Sequence, residues 1–196
     1  MRSTPHAANY DFWHLGWSGR HRVNTRQSWD LEWLSPRDAQ YAFLKPDPSP
    51  FSVPAGGFVV QAARDHGFDD FAFIPSEIGI VSHRTKLVIE QDCMDNCNFF
   101  PLRILYRHTE LQLAEPYWIA QVRNEIECAD SSDSHRLGQW YVNYAISADR
   151  VPERLGMFNV RNALQRTLIR DRLREAFKRE GLIGYELSPI RHTSGK

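Results

Sequence analysis

The sequence lacks several features that would assign it to a common class at once. Its three cysteines are an odd number and do not make a paired disulfide framework. No apolar run reaches the roughly 18 residues that a membrane span requires, and the N-terminus lacks the apolar core of a signal peptide. No G-x-G-x-x-G motif or Walker-type phosphate loop is present. These absences predict a soluble, reduced, cytoplasmic protein that does not enter the membrane.

The sequence also lacks net charge, which argues against a protein that coats nucleic acid through bulk positive charge. Lys+Arg and Asp+Glu both number 24 among 196 residues. However, residues 65–133 carry 5 basic against 13 acidic residues, whereas residues 151–196 carry 10 against 5. These two segments either lie on different faces or neutralise one another. A charged face that remains would speed association with a partner of opposite charge.

The chain divides into an irregular N-terminal segment and a more regular remainder. Four of the six tryptophans lie within the first 33 residues, and four prolines with two glycines deny regular structure to residues 46–57. Forty-five residues make a poor independent core. We therefore predict that residues 1–57 form an aromatic-rich irregular segment packed on an α+β domain of residues 58–196.

The α+β domain is predicted to have mixed sheets. Aromatic and β-branched residues favour strands at 98–106, 117–126 and 139–146. Apolar residues at helical spacing indicate helices at 83–92 and 171–180.

Two segments of this domain, residues 80–103 and 168–191, align without a gap and predict an internal repeat. Each has the pattern of a strand, a helix and a strand, so the fold class is α+β with two similar strand–helix–strand units. Apolar character is kept at most core positions of the alignment. The identical pairs are Arg84 and Arg172, Pro101 and Pro189, and Arg103 and Arg191.

The ends of the two helices are also predicted from residue type. Ser82 and Asp171 are the available N-caps, since their side chains can accept a bond from the first helical turn. Gly181 can take the left-handed conformation that ends the second helix. Asn96 and Gly184 tolerate positive φ at the turn into each closing strand.

Catalytic and metal-binding motifs are weak throughout. Cys93 and Cys97 form a C-x-x-x-C, but the second ligand pair of a zinc site is missing. The eight histidines do not stand in a recognisable nucleophile signature. We therefore predict no catalytic residues, no metal ligands and no cofactor, and interpret the cysteines as free thiols partly buried at a helix end.

Two charged runs are candidates for binding a partner. One is acidic and consists of Glu125, Glu127, Asp130 and Asp133, without the glycine and terminal glutamate of a calcium loop. The other lies on the predicted last helix, where interleaved acidic residues favour a solvated face over a phosphate-binding one. Its basic members are Arg170, Arg172, Arg174, Lys178 and Arg179.

The run LIRDRLREAFKREGLIGYELSPI, preceded by Met157-Phe158, resembles the end of a bacterial immunity-protein family, immunity protein eleven. IGIVSHRTKLVIEQ is similar to an earlier strand–helix element of that family, and Tyr117-Trp118 with Ile126–Asp130 and Ser134 to another strand. The resemblance covers about residues 70–190, and it departs where Cys93 stands in place of a glycine. It implies a protein encoded beside a polymorphic toxin, which protects the producing cell without catalysis.

The leading hypothesis is therefore an immunity protein that binds and blocks a cognate toxin, for which a nuclease-type effector would suit the acidic segment. The expected partner-binding residues are Glu125, Glu127, Asp130 and Asp133, with the N-terminal aromatics Trp13 and Trp17. Two alternatives stay open: a nucleic-acid-binding regulator that uses the basic C-terminal helix, and a small hydrolase with an unrecognised site. The neutral charge balance argues against direct nucleic-acid binding.

Overall fold

The computed structural model describes residues 11–16, 31–35, 57–74, 78–93, 96–163 and 167–193, and the side chains of all of these except residues 73, 74 and 78. Trp17 and the proline-rich stretch 46–56 lie outside the described residues, and the predictions made for them stay predictions.

The described chain consists mostly of strands, with two α-helices and one 3₁₀ turn. In chain order the elements are β1 (Phe12–Gly16), β2 (Leu31–Trp33), β3 (Phe58–Ala62), β4 (Phe71–Ile74), β5 (Ile78–Ser82), α1 (His83–Cys93), β6 (Cys97–Tyr106), β7 (Thr109–Glu110), β8 (Tyr117–Val122), β9 (Glu125–Ile126), β10 (His135–Leu137), β11 (Trp140–Asn143), β12 (Ile146–Ser147), the 3₁₀ turn Ala148–Arg150, β13 (Met157–Val160), β14 (Thr167–Arg170), α2 (Asp171–Arg179), β15 (Glu186–Pro189) and β16 (His192–Thr193).

These strands form two large sheets and two small ones. The seven-stranded sheet has the order β2-β3-β6-β8-β5-β4, with β7 added beside β6, and the five-stranded sheet has the order β15-β1-β14-β13-β9. Both contain parallel and antiparallel pairs, for example β3 with β6 in parallel and β6 with β8 antiparallel. The hairpin β10–β11 and the parallel pair β12–β16 are separate two-stranded sheets. The α+β class with mixed sheets is thus confirmed.

Each helix connects two strands of one large sheet. Helix α1 joins β5 to β6, and β8 lies between these two strands, antiparallel to both. Helix α2 joins β14 to β15, and β1 lies between them, again antiparallel to both. That residues 80–103 and 168–191 form an internal repeat stays a prediction.

The two helices pack between the two large sheets. A central apolar cluster combines residues of α1 and α2 with side chains from the facing sides of both sheets. Because side chains alternate along a strand, neighbours point to different clusters: Val81 to the central one and Ile80 to the outer side of the seven-stranded sheet. In the five-stranded sheet Ile169 faces the helices, and Leu168 faces a third cluster.

Two predicted strands are shorter in the structure than the sequence indicates. The stretch 117–126 forms β8 and β9, which belong to different sheets, because the chain leaves the seven-stranded sheet after Val122. There Arg123 donates its backbone N–H to Asn96, and Asn124 accepts one from Asn159 of the other sheet. The stretch 139–146 likewise divides between β11 and β12.

The helix ends follow the prediction at three of five positions. The Ser82 hydroxyl accepts the backbone N–H of Thr85 at 3.2 Å, as an N-cap does. Gly181 has φ of 62°, and Leu182 donates its N–H back to Phe177, which closes a Schellman-type end. Gly184 also has positive φ, at 92°.

Two expectations about the helix ends are wrong. Asp171 is not the N-cap of α2 but its first helical residue, because its carboxylate is bound by Trp13 and Arg174 instead of the backbone. Asn96 does not adopt positive φ. It is buried and donates its side-chain amide to the carbonyl of Met157 at 3.1 Å, which links the two large sheets.

The buried carboxylate of Asp70 connects the two strand–helix–strand units. It accepts hydrogen bonds from the Ser82 hydroxyl at 2.9 Å and from the Arg84 guanidinium at 2.7 and 3.0 Å, both at the start of α1. It also accepts the backbone N–H of Ile183, in the loop after α2, at 2.9 Å. Only 6% of its side chain is exposed, so these donors replace its water.

The loop after α2 approaches β4 closely at Gly184. A Cβ placed on that glycine would lie 2.6 Å from the Cβ of Asp69 and 2.7 Å from the Phe71 carbonyl oxygen. Neither neighbour can move far, since both belong to the segment that carries Asp70. Glycine is therefore needed here both for its φ and for its lack of a side chain.

We expect Asp70→Ala to lower the free energy of unfolding by about 3 kcal/mol, because it leaves the Arg84 guanidinium and the Ile183 N–H without their acceptor. Urea denaturation of the intact chain measures this. The matched control is Glu110→Ala, which removes the carboxylate of the exposed Arg103–Glu110 pair and should cost under about 1 kcal/mol. Equal losses for the two variants would contradict the role given to Asp70.

Candidate partner-binding surface

The first two predicted acidic residues share one arginine: Glu125 lies on β9, the edge strand of the five-stranded sheet, and Glu127 follows that strand directly. The Nε of Arg161 lies 3.1 Å from Glu125, and its Nη1 lies 3.4 Å from Glu127. The two carboxylates differ in access to solvent, since the Glu125 side chain is 14% exposed and that of Glu127 78%. Glu127 is thus the one placed to meet another molecule.

The other two acidic residues lie in the loop that follows β9. The Asp130 carboxylate accepts bonds from the Ser132 hydroxyl at 2.6 Å, from the Thr193 hydroxyl at 2.8 Å and from the Ser132 backbone N–H at 2.9 Å. These bonds, above all that of the Ser132 hydroxyl, lower the pKa of Asp130 to about 2. Asp130 therefore holds the loop against β16. Asp133 is about half exposed and pairs with Arg191 at 3.0 Å.

Trp13 and Trp17 were predicted as exposed anchors. Trp17 lies outside the described residues. Trp13 is half-buried in the central cluster, where its Nε1 donates to Asp171 at 2.9 Å and the Arg174 guanidinium lies 4.2 Å from the centre of its ring. Together with Tyr185 it lines a groove of about 560 Å³. These contacts hold α2 against β1, and a role in binding a partner stays a prediction.

Two exposed apolar side chains that the sequence-based prediction did not include lie on the β10–β11 hairpin. Leu137 is 69% exposed and Trp140 is 42% exposed. They face one another across the two strands, with Gly138 at positive φ in the two-residue turn between them. The dipeptide Gly138-Gln139 between apolar residues is the available signal, because a glycine first in a two-residue loop indicates a hairpin.

The hairpin and the acidic residues are neighbours. Tyr141 of β11 donates its backbone N–H to the carbonyl of Asn162, the residue after Arg161. Its side chain is buried in the third apolar cluster. At the base of the hairpin, the Ser134 hydroxyl contacts the backbone of Ala145. The acidic residues thus lie beside a hairpin whose outer side is apolar.

The basic residues of α2, and Arg170 directly before it, form hydrogen bonds and ion pairs with other residues of the chain. Arg170 donates to the carbonyls of Leu155, Val151 and Pro152, and burial lowers its pKa. Arg172 binds Asp92 and two further carbonyls of the same loop. Contacts with acidic neighbours occupy the remaining three: Arg174 with Asp171 and Glu175, Lys178 with Glu175, and Arg179 with Glu180. This pairing favours the solvated, structural interpretation of the helix over a phosphate-binding one.

The three cysteines are free and buried, more completely than expected. The hydrogen bonds of Cys93 and Cys97 go to Asp92 and to the Met157 sulfur. Burial raises the pKa of Cys97 and of Cys128 to about 12, and raises that of Cys93 further. Since the thiolate is the reactive form, these environments do not activate a nucleophile. Among the described residues, no three His, Cys, Asp or Glu side chains are grouped to hold a metal ion.

Comparison with known proteins gives one match. The model of the "Immunity protein family (Imm11)" matches residues 33–192, which include both helices and all strands from β3 to β15 in full. No curated protein matches the chain. No helix in the described part of the chain is long and apolar enough to cross a membrane.

The burial of the three thiols predicts that they react slowly with a disulfide reagent. We expect the native protein at pH 8 to react with a disulfide reagent such as DTNB at least about 100-fold more slowly than the same protein in denaturant, where all three cysteines are exposed. The denatured sample serves as the matched control. A thiol that reacts in the native protein as fast as in denaturant would show an accessible, reactive cysteine. That result would favour the hydrolase alternative.

Proposed function

Because the chain belongs to the Imm11 immunity protein family, we propose that it binds a cognate bacterial toxin and neutralises it by direct contact, without catalysis. The family match over residues 33–192 is the observation that carries this proposal. Immunity proteins act on a toxin that is encoded beside them, so the partner is the effector domain of a polymorphic toxin used in competition between bacteria.

The contacts of the basic residues and the burial of the cysteines support inhibition by binding over a nucleic-acid-binding regulator or a hydrolase. Arg170 and the arginines of α2 are held by carbonyl and carboxylate oxygens of the same chain, which leaves little of their charge for phosphate. The thiols are buried and protonated. A protein with these properties contributes a surface and not reactive groups.

The exposed carboxylates of Glu127 and Asp133 support a toxin with a basic surface. A nuclease-type effector must carry such a surface to bind the phosphates of its substrate. We therefore place the complex in the cytoplasm of the producing cell, where a nuclease would find DNA or RNA. Acidic side chains near the interface would raise the association rate through long-range attraction.

Co-expression tests the function itself. The effector domain encoded by the gene beside this one should stop growth of a host strain when expressed alone. Growth should recover when the present chain is co-expressed, and the purified pair should bind with a dissociation constant of about 1 nM or below. A toxic domain that is neither bound nor neutralised by this chain would refute the proposal.

The acidic side chains make a second, kinetic prediction. We expect Glu127→Lys with Asp133→Lys to slow association with that effector domain about tenfold at low ionic strength, and salt should shrink the difference, because the attraction is screened. Stopped-flow or surface-based kinetics measure it.

The matched control for the kinetic experiment is Glu110→Lys, which reverses an exposed carboxylate that also pairs with an arginine. It lies on β7, in the other large sheet. An unchanged association rate for the double variant, or an equal effect of Glu110→Lys, would remove Glu127 and Asp133 from the interface.

A further inference from the structure

We propose that the β10–β11 hairpin is the central contact of the toxin-binding surface, with Leu137 and Trp140 inserting into an apolar depression of the effector domain. This inference rests on the proposed function, since it assigns a surface to the toxin partner. Three features of the hairpin support it: its exposed apolar face, the attachment of its other face to the chain, and the charges around it.

The outer face of the hairpin is apolar without serving the core. Leu137 and Trp140 are paired across the strands, and Val142 shares their side by the two-residue alternation of a strand. Leu137 and Trp140 are two of the four large apolar side chains that are exposed in the described part of the chain. The other two are apart in the chain: Leu34 follows β2, and Leu87 lies on α1. Leu137 and Trp140, in contrast, are cross-strand partners and form one patch.

The inner face holds the hairpin in place. Tyr141 is buried, bonds Asn162 through its backbone N–H at 2.6 Å and forms a parallel bridge with Ala163. The Arg136 guanidinium lies 4.3 Å from the centre of the Tyr141 ring and also donates to its hydroxyl. An isolated two-stranded hairpin is marginally stable in water, so these contacts set its position. The apolar tip is thus ordered before a partner arrives, which lowers the entropic cost of binding.

The charges beside the hairpin define the chemistry of the partner. Glu125, Glu127, Asp130 and Asp133 precede the hairpin in the chain. Arg161, which stands directly before the hairpin contact Asn162, shares its single charge between Glu125 and Glu127. An apolar centre with a charged, solvated rim is the arrangement of tight protein interfaces. The fitting occupant is therefore a protein surface with an apolar depression bordered by Lys or Arg.

The interface side chains are tested by alanine substitution. We expect Trp140→Ala to raise the dissociation constant for the effector domain at least about 30-fold, and Leu137→Ala about tenfold, since buried aromatic anchors dominate interface energies. Isothermal titration or competition binding measures these changes, with thermal denaturation of each variant alongside. Leu87→Ala is the matched control, because it makes the same change at a side chain of α1 that is 45% exposed; it should change the constant less than twofold.

The outcomes separate this inference from the proposed function. The hairpin assignment would be overturned, while the function stands, by the following result. The wild type binds tightly, Leu137→Ala and Leu87→Ala have equal effects, and Trp140→Ala has none. An effector domain that the wild type does not bind would refute both. Hydrogen exchange of the wild-type complex decides the matter even if a variant unfolds. The amides of residues 136–142 should gain protection in the complex, and protection confined to another face would overturn the assignment.

Discussion

A carboxylate that is withdrawn from water must be surrounded by donors, and Asp70 finds its donors in both strand–helix–strand units. The first unit supplies Ser82, the N-cap of α1, and Arg84 in the first turn of α1, and the loop after α2 supplies the Ile183 N–H. Three of the four hydrogen bonds to this carboxylate come from the first unit and one from the second, so all four form only when the loop after α2 lies against the start of α1. The central apolar cluster between the sheets forms on the same condition, because it too draws on both helices.

The same demand explains why arginines near α2 act as structural residues. Arg170 and Arg172 flank the start of the helix and donate to the carbonyls of the loop that precedes β13. Gly156 ends that loop in contact with Cys93 and Asp92 at the end of α1, where a side chain would not fit. The second unit is thus fixed to the first at both ends: through Asp70 at the start of α1 and through Arg172 and Asp92 at its end. The basic residues at the start of α2 therefore stabilise the packing of α2 against α1 and the loop before β13.

Much of the scaffold could be predicted from the sequence, because helices and strands depend on local spacing. Both helices lie within a residue of their predicted bounds. Ser82 caps the start of α1 and Gly181 follows the end of α2, as their residue types predict. The failures share one cause, which is that the deciding partner is distant in the chain. Trp13, some 158 residues away, takes the Asp171 carboxylate from its capping role. The acidic residues were found from composition, but their arginine partners and the exposure of Trp140 depend on how the sheets are arranged.

The zero net charge of the sequence has a structural counterpart. Carboxylates of the acidic middle segment bind guanidinium groups of the basic end: Asp92 with Arg172, Glu125 and Glu127 with Arg161, and Asp133 with Arg191. Of the two arrangements open at the level of sequence, the structure therefore shows neutralisation for these pairs. Charge that is already paired attracts a partner only weakly at close range, since each new ion pair must replace an existing one. A surface of this kind can orient and accelerate an encounter, but a long-lived complex needs apolar contact, and beside these ion pairs that contact is offered by the tip of the hairpin.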